Sequence, residues 1–389
     1  MNSSERLQKC LALEEPDRVP YDLGGTTTSA ITRHAYVKAM EYRGIDPAIK
    51  TSDIDPIQQI ITPSEENLNQ LGVDTRRIGA RRIPGFRWED HKEEETIRVT
   101  DLYGCDWEYQ AGKDLYFNQV SYPLEEAGSL SGALPGLKEI EWESYREFLE
   151  PDLKEQVAGT DAFGLVADRH TAGLTENSLR VRGYEKWYMD TVLDPAGVEA
   201  LLERMMQDKL RYWDLLIDWA LKEGVAEQIQ VIAECDDLGN QETTILDPDQ
   251  LREWVIPRLG TIFRHVKKRL PGVKIFFHTC GAVRELIPDL IEAGMDILNP
   301  VQFTAKGMEL KELKRDFGDV LTFWGGGVDT QHTLNKGTPQ EVSDEVKRIL
   351  DIMAPGGGFV FTPVHNVQHD VSPENFWAMW DTMKEYGNY

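Results

Sequence analysis

Val273-Lys274-Ile275-Phe276-Phe277-His278-Thr279-Cys280-Gly281 is an apolar run that stops abruptly on polar, metal-competent side chains. The run reads as a short buried strand, and Val283 to Ala293 behind it as an amphipathic helix. Working outward, the same unit recurs. Phe163–Ala167, Gln228–Ala233, Asp296–Asn299, Val320–Trp324 and Gly358–Thr362 read as strands. Helical stretches run up to about Gly224, then over Pro248–Leu270, Leu310–Phe317, Thr338–Met353 and Pro373–Tyr386. Repeated βα units with buried strands imply a parallel sheet with right-handed crossovers. Their number fits a (β/α)8 TIM barrel better than an open sheet. Arg18–Leu23 is the expected first strand. The stretch from about Arg76 to Pro123 differs, being rich in Thr, Val, Tyr, Trp and Arg. Thr96–Thr100 and Asp106–Tyr109 in it are expected hairpin strands. We therefore expect a single barrel domain over residues 1–389, with an antiparallel β insertion at about 76–123 near its mouth. Glu93-Glu94-Glu95 is expected to be a solvated turn.

Composition narrows the function classes. With 41% hydrophobic and 28% charged residues the chain is ordinary for a soluble globular protein. The net charge of −25 repels phosphate backbones, so nucleic acid is not an expected partner. No apolar run approaches about 18 residues, so no membrane span is expected. The N-terminus lacks the apolar stretch of a signal peptide. Cys10, Cys105, Cys235 and Cys280 show no disulfide framework. Together these point to a cytoplasmic protein whose thiols are free to bind metal.

Catalytic groups of such barrels lie at the C-terminal ends of strands, and the ends here are polar. Side chains alternate faces along a strand, so His278 and Cys280 face one spot as their strand stops. An imidazole and a thiolate converging there form half of a zinc site. The last strand is followed by Thr362-Pro363-Val364-His365-Asn366, and in a closed barrel its end meets the same mouth. His365 then completes three nitrogen and sulfur donors, with Asp236 or Glu234 offering a fourth. Three protein ligands with an open position mark a catalytic zinc. Asp168 and His170 end the Phe163 strand, and Asp236 and Asp237 end the next; all are candidates for proton transfer. Asp22 and Thr26, in the Gly/Thr loop after the first strand, and Trp324 are candidate substrate contacts, as is Gln302. Trp107 and Trp187 are further candidate walls. Cys235 is expected to pack as a small buried thiol.

On Asp236-Asp237-Leu238-Gly239, His278-Thr279-Cys280-Gly281-Ala282-Val283, Gly294 to Gln302 and Gly356 to Asn375, the chain resembles the uroporphyrinogen decarboxylase superfamily. That resemblance implies a (β/α)8 barrel and one of two activities. These are metal-free decarboxylation of uroporphyrinogen, and zinc-dependent methyl transfer to or from corrinoid proteins and thiols. Its methyltransferases carry His-x-Cys where His278 and Cys280 stand, with a later Cys as third ligand; here that place is taken by His365. Its decarboxylases grip a polycarboxylate with an arginine-rich loop after strand one. Asp22 to His34 here holds a single arginine, Arg33. The resemblance thus implies a zinc-dependent methyltransferase, acting on a small O-, N- or S-methyl compound such as a methoxylated aromatic. A corrinoid (methylcobalamin) on a separate partner protein would exchange the methyl. Expected partners are the methyl donor, the corrinoid protein and, as an assembly, a homodimer. The alternatives are a metal-free decarboxylase using Asp22, Asp168 or His365, and a non-enzymatic corrinoid binder.

Overall fold

A computed structural model describes residues 1–48, 53–91 and 94–389; of the expected Glu93-Glu94-Glu95 turn, Glu93 lies outside them. Seven strands form one parallel sheet: β1 (Thr75–Gly79), β2 (Gly164–Asp168), β3 (Ile229–Cys235), β4 (Lys274–His278), β5 (Ile297–Asn299), β6 (Thr322–Trp324) and β7 (Phe359–Val360). They are neighbours in chain order, from β1 to β7. Each strand is buried on both sides, as parallel strands wrapped by helices must be.

The eighth position is filled by the segment around Tyr21. Asp22 N–H donates to Phe361 O at 3.0 Å on one side, and Asp74 N–H donates to Tyr21 O at 2.8 Å on the other. Backbone bonds thus run from the last strand to the first and close a barrel. The expected strand Arg18–Leu23 is reduced to isolated pairings, Tyr21 with Phe361 and Arg18 with Asn388. Pro20 has no N–H to offer a ladder, which accounts for the interruption.

A second correction concerns the insertion. Its expected start at Arg76 falls inside β1, which pairs residue by residue with β2. Two arginines disguise this strand as polar. Both are buried and neutralised: Arg76 by Glu65 at 2.8 Å, Arg77 by Asp168 at 2.8 Å. The antiparallel sheet proper is Thr96–Thr100, Asp106–Gln110 and Asn118–Gln119. It packs on the helix Leu174–Arg182, which leaves the C-terminal end of β2; Cys105 Sγ, for example, lies 3.4 Å from Arg180 O.

The barrel's two ends differ. Val166, Val231, Ala233, Phe276, Ile297, Trp324 and Val360 pack together inside the barrel. Leu7, Cys10 and Leu11, from the helix Ser3–Leu11, join the same cluster and plug its N-terminal end. Asn2 and Glu5 cap that helix reciprocally. The polar ends of the strands are left to the opposite, open end. No helix among the described residues is long and apolar enough to cross a membrane.

Candidate metal centre

Period-two alternation places His278, two residues beyond Phe276, on the barrel's inner face. The chain then turns at Gly281, where φ is +90° and a Cβ would lie 2.5 Å from Asn240 O. Only glycine fits there, and the turn folds Cys280 back toward His278. The Cys280 Sγ–His278 Nε2 distance is 3.5 Å. His365, after β7, brings its ring centroid to 5.5 Å from that of His278. One donor atom from each of His278, Cys280 and His365 lies within 4.8 Å of the other two. His278 is buried; Cys280 and His365 are half-buried.

The orientation of His278 is fixed from behind. Asn299 sits beside it in register on β5. The Asn299 amide donates from Nδ2 to Trp324 O at 2.7 Å, so its Oδ1 must accept, and it meets His278 Nδ1 at 2.5 Å. That puts the imidazole proton on Nδ1 and leaves the Nε2 lone pair facing Cys280, the arrangement that orients metal-binding histidines. Asn299 was not among the residues singled out from the sequence. Its signal was its place at a strand end beside His278.

Electrostatics suit a cation. Burial pushes the His278 imidazole down to about 4, with Arg169 adding to the effect. Burial and the neighbouring His278 likewise lower His365 to about 4. Both rings are therefore neutral at pH 7 and able to donate a lone pair. Desolvation, then the charges of Asp237 and Glu176, push the Cys280 thiol well above its usual range. A bound cation reverses that balance and draws off the thiol proton. Asp237 accepts the Cys280 N–H at 3.0 Å, and its Oδ1 lies 3.6 Å from His278 Nε2. Desolvation and Glu176 raise its carboxyl. It is the carboxylate that stands at the triad.

The other candidates are placed elsewhere. Glu234 faces outward from β3, where Lys209 Nζ and Trp213 Nε1 each approach it at 2.6 Å. Alternation along the strand turns it away from the mouth, so it is not a ligand. Asp236 accepts the backbone N–H groups of Thr175 (2.8 Å) and Glu176 (3.2 Å), capping a helix rather than facing the triad. Burial raises its carboxyl to about 7. His170 lies among aromatic rings: stacked on Tyr212 at 4.6 Å, edge-on to Trp142 and Tyr145. Those rings belong to helices outside the barrel, so His170 is a packing residue of the wall. Asp168 is inside the barrel, tied through Oδ2 to Arg77 and to the Thr27 N–H at 3.0 Å.

The candidate substrate contacts are consumed internally. Asp22 accepts from Gly25 N, Thr75 Oγ1 (2.6 Å) and Trp324 Nε1 (2.7 Å). Trp324 is fully buried in the barrel cluster, edge-on to Phe276. Thr26 bonds Thr28 and Ser29 within its own turn. Gln302 accepts the Gly281 N–H at 2.8 Å and donates to Gln241 at 2.6 Å, bracing the cysteine turn. Trp107 and Trp187 are core residues, and Cys235 is a buried thiol raised by burial to about 12.

Comparison with known proteins gives three findings. Residues 174–386 match the family model Uroporphyrinogen decarboxylase (URO-D). A uroporphyrinogen decarboxylase of Chlorobium luteolum is 22% identical over 240 residues, covering 58% of this chain. The chain spans 66% of that relative's length. A solved methyltransferase from Methanosarcina mazei superposes with a TM-score of 0.64 at 17% identity, over 99% of both chains. At that identity the likeness is one of fold.

Proposed function

Because the chain belongs to the uroporphyrinogen decarboxylase family and gathers an N,N,S donor set at its barrel mouth, we propose that it is a zinc-dependent methyltransferase of the corrinoid-linked type. It would move a methyl group between a small O-, N- or S-methyl compound, such as a methoxylated aromatic, and a corrinoid held by a partner protein. The whole chain would act as one barrel unit.

What carries this reading is the convergence of His278, Cys280 and His365 within 4.8 Å. Two neutral imidazoles and a thiol form a donor set that zinc accepts. Two of the three donors are half-exposed on the side of the mouth, which leaves room for a further ligand. When bound, zinc would act there as a Lewis acid on the heteroatom that carries or receives the methyl group. The chain's own residues do the rest. Asn299 keeps the His278 proton on Nδ1. Gly281 and Gln302 hold the cysteine turn. Asp237, which takes the Cys280 N–H, is a carboxylate beside the thiol that can receive the proton Cys280 must give up.

The test is metal analysis of protein purified without added metal. About one zinc per chain, absent from Cys280→Ser, and methyl transfer to a corrinoid protein support the reading. Metal-free protein that decarboxylates a porphyrinogen would replace it with the activity named for the Chlorobium luteolum relative.

A further inference from the structure

Arg169 is buried, with 2% of its surface exposed, yet its side chain makes no hydrogen bond among the described residues. Its Nη1 lies 3.5 Å from Asp168 Oδ1, an ion pair whose geometry hydrogen-bonds neither atom, and its Nε has no hydrogen-bond partner among the described residues. The contrast with its neighbours is sharp. Arg77 reaches Asp168 Oδ2 at 2.8 Å and Ala80 O at 2.7 Å. Arg182 is held by Asp190 at 2.6 Å and by the Leu124 and Gly128 carbonyls. Arg180 is bonded to Glu176 at 2.6 Å, and Arg82, whose Nε and Nη1 also lack hydrogen bonds, has its charge matched by Asp55 at 2.9 Å. A buried charged donor left without acceptors is unfavourable in a finished structure, so an acceptor from outside the chain is the natural completion.

Its place tells what that acceptor belongs to. Asp168 ends β2 in register with Ala233, and Cys235, two residues on, is in register with His278. Arg169 therefore leaves the sheet two strands from the triad, about 10 Å across at ordinary strand spacing. A small molecule spans that distance.

We propose that Arg169 receives a single oxyanion group, carboxylate or sulfonate, of the small substrate whose methyl-bearing or methyl-accepting atom lies at the His278–Cys280–His365 triad. The inference rests on the reading of that triad given above and narrows its substrate to monoanions. One guanidinium without hydrogen bonds fits one oxyanion. A polycarboxylate would need several forks, and the other arginines named here are hydrogen-bonded or, for Arg82, held against Asp55 within 2.9 Å.

The test compares charged and neutral members of matched pairs, by calorimetric binding to the full-length, zinc-assayed protein. One arm uses 4-methoxybenzoate against 4-methoxybenzamide; the other uses 2-(methylthio)ethanesulfonate against its sulfonamide. The charged member of one arm should bind at least about tenfold more tightly, the worth of one charge-assisted bond. That arm identifies the anion. Arg169→Gln should erase the preference and Arg169→Lys should retain part of it, with circular dichroism confirming that each variant folds. If Arg169→Gln does not fold, loss of part of the preference in Arg169→Lys carries the test. Equal binding of charged and neutral members in both arms, or a preference undiminished in Arg169→Gln or, where that variant does not fold, in Arg169→Lys, overturns the inference. Zinc content separates the two readings. Zinc bound through Cys280 without any anion preference overturns this inference alone. An Arg169-dependent preference in protein that binds no zinc overturns the proposed function alone.

Discussion

The two sides of the barrel mouth are built on opposite principles. On the β4–β5 side, the two donors that β4 supplies are braced: Asn299 fixes His278, Gln302 fixes the Gly281 turn, Asp237 takes the Cys280 N–H. On the β2 side, Arg169 and one oxygen of Asp168 are buried without hydrogen bonds among the described residues. A braced set of donors binds a small ion with little rearrangement, because the cost of ordering the ligands is met by the fold. An unbraced buried charge waits for a group the chain does not contain. Preorganisation thus marks where the chain is complete, and missing hydrogen bonds mark where it is not.

Breaking the braced side should give the largest effects. Cys280→Ser should take bound zinc from about one per chain to near none, read by elemental analysis. Asn299→Ala releases the His278 ring, and zinc affinity measured by chelator competition should fall about 10- to 100-fold. Gly281→Ala forces a Cβ to within 2.5 Å of Asn240 O at φ +90°. It should cost about 1–3 kcal/mol of stability and lower zinc occupancy, both read on one purified sample. Unchanged occupancy would show that the turn does not place the thiol.

The smallest effect sharpens the comparison from the other side. His170 has neither ring nitrogen bonded, and burial, then Lys209, hold its pKa well below the usual value. Its folded-state pKa lies under the unfolded one, about 6.5. Its contribution is therefore present above that pH and lost as pH falls, when only the unfolded chain takes up the proton. His170→Phe keeps the aromatic packing and removes the titration. At pH 7 the variant should lie within about 1.5 kcal/mol of the parent. Between pH 6.5 and 5 the difference in melting temperature should move in the variant's favour. A shift the other way would mean that His170 is charged in the folded protein.

How far the sequence could be read depended on where a residue's partners lie. The strands β2 to β7 and their helices were legible because alternation and apolar runs are local signals. β1 was not: Arg76 and Arg77 look solvent-facing until Glu65 and Asp168 are brought to them. Of the candidate residues, His278 and Cys280 could be paired from their spacing, and His365 from the closure of a barrel. Glu234, Asp236 and His170 share the same polar strand ends but face other elements. Nothing local records that Lys209, a helix N-terminus or an aromatic box has already claimed them.

The sequence alone determined the βα rhythm, the acidic surface and the types of donor at the strand ends, since each is written in neighbouring residues. The tertiary structure alone decided which donors meet, which carboxylates are already paired and which guanidinium is left over. Those are questions of distance between residues far apart in the chain, and burial makes each unpaired charge too unfavourable to leave without an answer.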